Sequence, residues 1–98
     1  MIFAVICKDW PGKLDVRLAT RPAHLDYINA LNAAGKLRFA GPMLGDDGKP
    51  LGSLVALEVA DRTEAEQIVA DDPYAGAGLF ETVDIHAWNW TFNPPEAK

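Results

Sequence analysis

Hydrophobic and polar residues follow two different periods along this chain of 98 residues. Where apolar or β-branched residues run together, or alternate with polar ones, the pattern predicts β-strands. Four stretches meet this description: Ile2–Lys8, Gly35–Ala40, Ser53–Ala60 and Phe80–Trp90. Alternation in the second stretch predicts that Leu37 and Phe39 share one side of a strand that stops at Gly41-Pro42.

A helical period appears between the first and second predicted strands. Thr20 can cap a helix with Pro22 in its first turn, and the pattern runs to Ala34 before Gly35 ends it. Leu14–Leu18 predicts one separate helical turn before this main helix.

A second helix is predicted after the third strand. Asp61 or Thr63 can cap it, and it ends near Asp71. Asp72 precedes Pro73, so it can cap a short turn that begins at the proline.

The order strand, helix, strand, strand, helix, strand predicts an α+β, ferredoxin-like βαββαβ fold with a four-stranded antiparallel sheet. Both helices should cover one face of the sheet, leaving Trp88, Trp90 and His86 on the other face. We expect a homodimer that packs these open faces together. Residues 1–92 should form one domain, followed by a flexible C-terminal tail over residues 93–98.

Charge and cysteine content narrow the function classes. The formal net charge of −5 argues against nucleic-acid and membrane partners, which need clustered basic residues. RNA binding by the sheet is further disfavoured, because Ser53–Ala60 lacks aromatic residues for stacking. Cys7 is the only cysteine and is expected to be a buried strand residue. No targeting segment is recognised, so the cytoplasm is the expected location.

Candidate chemistry is concentrated in the first helix. His24 falls on the apolar stripe of that helix, where it is either a hydrogen-bonded core residue or part of a site. Arg17 and Arg21 could bind an anionic oxygen, or they could lie on a solvated face or pair with Asp15 or Asp26.

The polar loop Gly45–Gly52 contains Asp46 and Asp47, two carboxylates that could suggest a cation site. Its spacing does not match a calcium loop, and hairpin turns use Asp and Gly for backbone reasons. A plain turn is therefore expected, and no metal is predicted.

Several motifs, taken in order, make the chain resemble the YciI-like (YCII-related) family. They are R-L-A-T-R-P-A-H-L at Arg17–Leu25, G-P-M at Gly41–Met43, G-S at Gly52-Ser53 and D-D-P-Y-A-G-A-G-L at Asp71–Leu79. The resemblance implies a dimeric α+β barrel and a pocket with a histidine–aspartate pair, which by match is His24 and Asp72. It implies a reaction only loosely, since related barrel enzymes isomerise or eliminate from small oxygenated rings, often without a cofactor.

Two interpretations follow. In the first, the protein is a cofactor-independent acid–base enzyme acting on a small anionic molecule by isomerisation, elimination or hydrolysis. His24 then transfers the proton and Asp72 orients it, while Arg17, Arg21, Ser53 and Tyr74 bind the substrate. In the alternative, the same pocket belongs to a non-catalytic small-molecule-binding or accessory domain, Asp72 is only a helix cap and Tyr74 only packs in the core.

Overall fold

The structure, a computed structural model that describes residues 1–95, contains a four-stranded antiparallel sheet and three helices. In chain order the elements are β1 (Ile2–Asp9), α1 (Leu14–Ala33), β2 (Leu37–Leu44), β3 (Pro50–Glu58), α2 (Arg62–Asp71), α3 (Pro73–Gly76) and β4 (Phe80–Trp88). The strand order β2-β3-β1-β4 puts the first and third strands at the centre, as in the ferredoxin-like fold. The predicted α+β fold is therefore confirmed.

The core forms between the helices and the two central strands. Every second side chain of a strand points to the same face, so β1 and β3 each contribute one buried row. Paired across the two strands, these side chains are Phe3 with Leu57, Val5 with Val55, and Cys7 with Ser53. Ser53 is the polar member of an otherwise apolar row, and it lies at the end of the core nearest the cavity described below.

Helix α1 differs from the prediction at its start. It begins at Leu14 and passes through Pro22 without a break, so Thr20 lies inside the helix and its predicted capping role is wrong. A proline inside a helix removes one hydrogen bond and crowds the preceding turn. Tertiary packing along the helix outweighs such a local defect. The predicted end is confirmed, because Gly35 follows α1 with a left-handed backbone at φ 76°.

Strand β2 also differs from the prediction. It continues through Pro42 to Leu44, which an edge strand tolerates because a missing N–H there need not break the ladder. A register shift between Leu37 and Phe39 inserts one extra residue into β2. Leu37 consequently packs on the core, whereas Phe39 contacts Trp88 on the opposite face. The prediction that these two side chains share a face is wrong for this reason.

Two predicted helix caps are confirmed. The Asp61 carboxylate accepts a hydrogen bond from the backbone N–H of Glu64 at 2.9 Å, which places Thr63 inside α2. The Asp72 carboxylate accepts one from the backbone N–H of Tyr74 at 2.9 Å and so opens α3. Because α3 follows α2 after a single residue, Asp72 ends one helix and caps the next.

The face of the sheet opposite the helices, which we call the open face, carries an aromatic cluster of Phe39, Trp88 and Trp90. His86 pairs with Ala4 in the register that points to this face, as expected. Among the described residues, no helix is long and apolar enough to cross a membrane. Of the predicted tail, residues 93–95 belong to no helix or strand, and residues 96–98 lie outside the described part of the chain.

Candidate active site

A cavity of about 430 Å³ lies between α1 and the helix-facing side of β2 and β3. Its walls are largely apolar, and its polar lining comes from Arg17, Arg21, His24, Ser53 and Tyr74. The structure thus brings five of the six predicted site residues to one cavity. The sixth, Asp72, lies directly behind His24. Among residues 1–95, no Asp or Glu side chain lines the cavity, although the whole chain has a net charge of −5.

His24 and Asp72 form a close, largely buried pair. Nδ1 of His24 lies 2.9 Å from Oδ1 and 3.1 Å from Oδ2 of Asp72, and the two side chains are 13% and 10% exposed. An ionised carboxylate can only accept, so Nδ1 carries the hydrogen and the neutral ring keeps its lone pair on Nε2. Within residues 1–95 Nε2 makes no hydrogen bond, and the ring lines the cavity. Nε2 is therefore the atom of this pair that is available to a ligand.

The short helix α3 holds this pair in place. Oδ1 of Asp72 accepts from the backbone N–H of Tyr74 as well as facing His24, so one carboxylate both caps the helix and orients the imidazole. The Tyr74 ring is buried and stacks on the His24 ring, with centroids 3.9 Å apart and 15° between the planes. The two contacts fix the position of the imidazole and its rotation.

Arg17 has a partner that the sequence reasoning missed. Its Nε donates to Oδ2 of Asp9 at 2.6 Å and its Nη2 donates to Oδ1 at 2.9 Å, in a bidentate pair. The alternative of an ion pair with Asp15 or Asp26 therefore does not hold for Arg17, which pairs with Asp9 instead. Asp9 follows the core residues of β1 and stands eight residues before Arg17, a separation that no helical or strand period marks as a contact.

Further contacts enclose the Arg17 guanidinium. Nη2 also donates to Oγ of Ser53 at 2.9 Å, and the guanidinium carbon lies 4.6 Å from the centre of the Tyr74 ring. Arg17 is only 4% exposed. Burial disfavours its charged form, but the hydrogen bonds and charge of Asp9 outweigh this and raise the pKa of Arg17 above its ordinary value. Arg17 is thus a permanently charged group whose charge is compensated locally.

The position before Ser53 has room only for a glycine, which is Gly52. A side chain at this position would collide with the carbonyl oxygen of Cys7 and with the side chain of Met43. Strand β3 therefore approaches β1 closely at this point, opposite Lys8 in the register. The close approach places Ser53 within reach of Arg17.

Arg21 stands one helical turn after Arg17 on the cavity side of α1. It is exposed, and no carboxylate forms an ion pair with it among residues 1–95. Burial raises the pKa of Tyr74, and the charges of Arg17 and Arg21 oppose that rise, so both arginines are close enough to act on the cavity wall.

Cys7 lies beneath the site in the core. Burial raises the pKa of its thiol to about 12, and the negative charge of Asp72 adds to the effect. The thiol is therefore neutral and unreactive at ordinary pH, as expected of a strand residue. In the part of the chain that the structure describes, no group of three or more His, Cys, Asp or Glu side chains is arranged to hold a metal ion.

Comparisons with known proteins agree with this architecture. The sequence profile of the YCII-related domain matches residues 1–89. Protein YciI of Escherichia coli O6:H1 is 35% identical over 94% of this chain and 100% of its own length. An uncharacterised protein of Haemophilus influenzae is 32% identical over 94% of this chain and 100% of its own length.

A solved structure with a stated activity is also similar. It is 5-chloro-2-hydroxyhydroquinone dehydrochlorinase (TftG) of Burkholderia phenoliruptrix AC1100, in complex with 2,5-dihydroxybenzoquinone. The two chains share 36% identity and superimpose with a TM-score of 0.83, over 91% of this chain and 94% of that one. With a matching profile over almost the whole domain and relatives above 30% identity, the chain belongs to the YCII-related domain family.

Proposed function

We propose that this protein is an acid–base enzyme acting on a small oxygenated anionic molecule, with His24 as the proton-transfer group. The observation that carries the proposal is the orientation of the imidazole. Nδ1 is bound by Asp72, and Nε2 is left available at a cavity large enough for a small ring compound. The same arrangement orients a general base in other enzymes, where a positioned base contributes about 10²–10⁴ in rate.

The residues have distinct roles in this mechanism. Nε2 of His24 takes a proton from a hydroxyl or carbon of the bound molecule, and the electron pair moves into the conjugated system. The pair then expels a leaving anion, which is an elimination, or takes the proton back at another atom, which is an isomerisation. Asp72 stabilises the imidazolium formed in the first step. Arg17, Ser53 and Tyr74 shape the cavity. None of these reaction steps requires a cofactor.

The similarity to TftG supports the substrate class. That protein is a dehydrochlorinase of a chlorinated hydroxyhydroquinone, and its structure holds a dihydroxybenzoquinone. Loss of HCl from such a ring needs both steps described above in succession. The proton taken from one hydroxyl is returned to the chlorine-bearing carbon, which gives a keto isomer, and removal of a second hydroxyl proton then expels chloride and leaves the quinone. Because the two proteins are 36% identical over nearly the whole domain, hydroxylated rings are the first substrates to test for this chain.

The test is chloride release from 5-chloro-2-hydroxyhydroquinone and related hydroxylated rings, with His24→Asn compared to the wild type. We expect turnover to fall by about 10²–10⁴ in the variant while ligand binding persists. His86→Asn, with its mass in solution checked against that of the wild type, is the matched control, because His86 lies on the face of the sheet opposite the cavity and its substitution should leave turnover unchanged. Normal turnover in His24→Asn would refute the proposal. Tight binding with no turnover in the wild type would favour the non-catalytic binding domain instead.

We also propose that the protein forms a homodimer through the open face. Trp88, a member of the aromatic cluster on that face, is 39% exposed, and Leu54 on the same face is 38% exposed. A second copy of this apolar face would cover them. Sedimentation should give twice the chain mass for the wild type and a single-chain mass for Trp88→Glu. A single-chain mass for the wild type at micromolar concentration would contradict the proposal. The cytoplasmic location stays a prediction.

A further inference from the structure

We infer that Arg21 is the residue that selects an anionic ligand for this cavity, and that Arg17 contributes little to that selection. The inference rests on the proposed function, because it concerns the same cavity. The expected substrate class is a planar ring compound that carries an ionised oxygen, and Arg21 is the residue that selects it.

The charge of Arg17 is already compensated within the protein. The Asp9 carboxylate accepts hydrogen bonds from Nε and Nη2 in a bidentate pair, and Ser53 accepts a second hydrogen bond from Nη2. A ligand anion would meet the field of an Arg–Asp pair rather than that of a free cation. The pair is nearly neutral at a distance, so its attraction for an anion falls off quickly.

The charge of Arg21, by contrast, is not compensated. It lines the cavity, and it has no carboxylate partner among residues 1–95. Its position on α1 is four residues after Arg17 and three before His24, so all three side chains lie along one side of the helix. An anionic oxygen bound by Arg21 would therefore hold a ring alongside the His24 imidazole.

Apart from its five polar lining residues, the cavity is lined by apolar residues, among them Leu18, Leu25, Ile28 and Val55. No acidic side chain lines it in the described part of the chain. The chain as a whole is acidic, with 14 acidic against 9 basic side chains. A free cation in a mostly apolar cavity on an acidic protein gives a local preference for anions that the overall charge does not predict.

The experiment compares two ligands that have the same quinone ring and differ in charge. 2,5-Dihydroxybenzoquinone has acidic hydroxyls and is anionic at neutral pH, whereas 2,5-dimethoxybenzoquinone has the same ring and is neutral. Dissociation constants for both are measured by calorimetry with wild type, Arg21→Gln and Lys49→Gln. Lys49 is an exposed residue in the turn between β2 and β3 that does not line the cavity, so its variant controls for the change in net charge.

We expect the wild type and Lys49→Gln to bind the anionic quinone more tightly than the neutral one. Arg21→Gln should lose roughly 10-fold or more in affinity for the anion, the size expected for a charge-assisted hydrogen bond, and little for the neutral ring. The affinity of the wild type for the anion should also fall with added salt, and that of Arg21→Gln much less.

Equal losses for both ligands in Arg21→Gln, or no preference for the anion in the wild type, would overturn the inference. The double variant Arg17→Met with Asp9→Leu provides a second check, because it removes the charge of Arg17 together with its counter-ion and should keep the preference for the anion. Loss of the preference there would move the role to Arg17. The outcome is separable from the proposed function. If His24→Asn abolishes turnover while Arg21→Gln leaves anion affinity unchanged, only the present inference fails. If Arg21→Gln loses the anion and His24→Asn turns over normally, only the proposed function fails.

Discussion

Helix α1 holds two nitrogen-bearing side chains against carboxylates from other elements, and the two pairs leave different atoms available. Arg17 meets Asp9 from the end of β1, and His24 meets Asp72 from the start of α3. The two pairs are similarly buried, with side chains 5% and 6% exposed in the first and 13% and 10% in the second.

The difference lies in the chemistry of the two nitrogen-bearing groups. A guanidinium has only donors and cannot lose its proton in a protein, so the Arg17–Asp9 pair can position groups but cannot transfer a proton. An imidazole bound through one nitrogen still offers the other, which can accept and release a proton. Burial beside a carboxylate therefore does not by itself indicate catalysis. What matters is the atom that stays available.

The largest expected effect concerns the Arg17–Asp9 pair. Asp9→Asn leaves the buried guanidinium without its counter-ion, so we expect a loss of about 3–5 kcal/mol in unfolding free energy. Urea denaturation measures it. Replacing both partners, as Asp9→Leu with Arg17→Met, should be less destabilising than Asp9→Asn alone. A loss below about 1 kcal/mol in Asp9→Asn would show that the pair is not a structural anchor.

The next effect concerns the His24–Asp72 pair. Asp72→Asn can still cap α3, so stability should change by less than about 1 kcal/mol. An amide can donate to Nδ1, however, which would move the hydrogen to Nε2 and remove the base. Imidazole ¹⁵N chemical shifts should report this change of tautomer, and turnover should fall with it, as for the corresponding change in a serine protease triad. An unchanged tautomer would mean that Asp72 does not set the proton position.

A smaller effect concerns Cys7, which feels charges from both pairs. The folded protein holds the thiol proton to a pKa of about 12, against an ordinary value of 9.0. Stability from this group is therefore present below pH 9 and is lost as the pH rises toward 12, by at most about 1.4 kcal/mol per pH unit. The free energy of unfolding, measured from pH 8 to 11, should decline less steeply with pH in Cys7→Ala than in the wild type. Parallel curves for the two proteins would contradict the prediction.

The smallest effect concerns Ser53, the third member of the Arg17 cluster. Ser53→Ala removes one acceptor from Nη2 while Asp9 still holds the guanidinium, so we expect a loss of about 1 kcal/mol. Thermal or urea unfolding of this variant sharpens the contrast with Asp9→Asn. A loss as large as that of Asp9→Asn would show that Ser53, rather than the ion pair, anchors Arg17.

Much of the site could be located from the sequence, by different means for different residues. Helix-cap preference was enough to predict the cap at Asp61 and the second role of Asp72 as a cap. The pairing of Asp72 with His24 came from the family resemblance, because 48 residues separate them and no local pattern joins them. Asp9 lies just beyond the predicted strand Ile2–Lys8, and no local pattern joins it to Arg17; the two meet only because β1 and α1 pack together.

The sequence by itself determined the order of the elements, the side of the sheet that the helices cover and the stripe of α1 that faces inward. These depend on local periodicity and turn chemistry, which each segment carries within itself. Only the tertiary structure decided that Phe39 turns to the open face, that Pro22 lies within one continuous helix, and that Asp9 rather than a nearer acid compensates Arg17. Each of these depends on contacts between segments distant along the chain, where packing outweighs local preference.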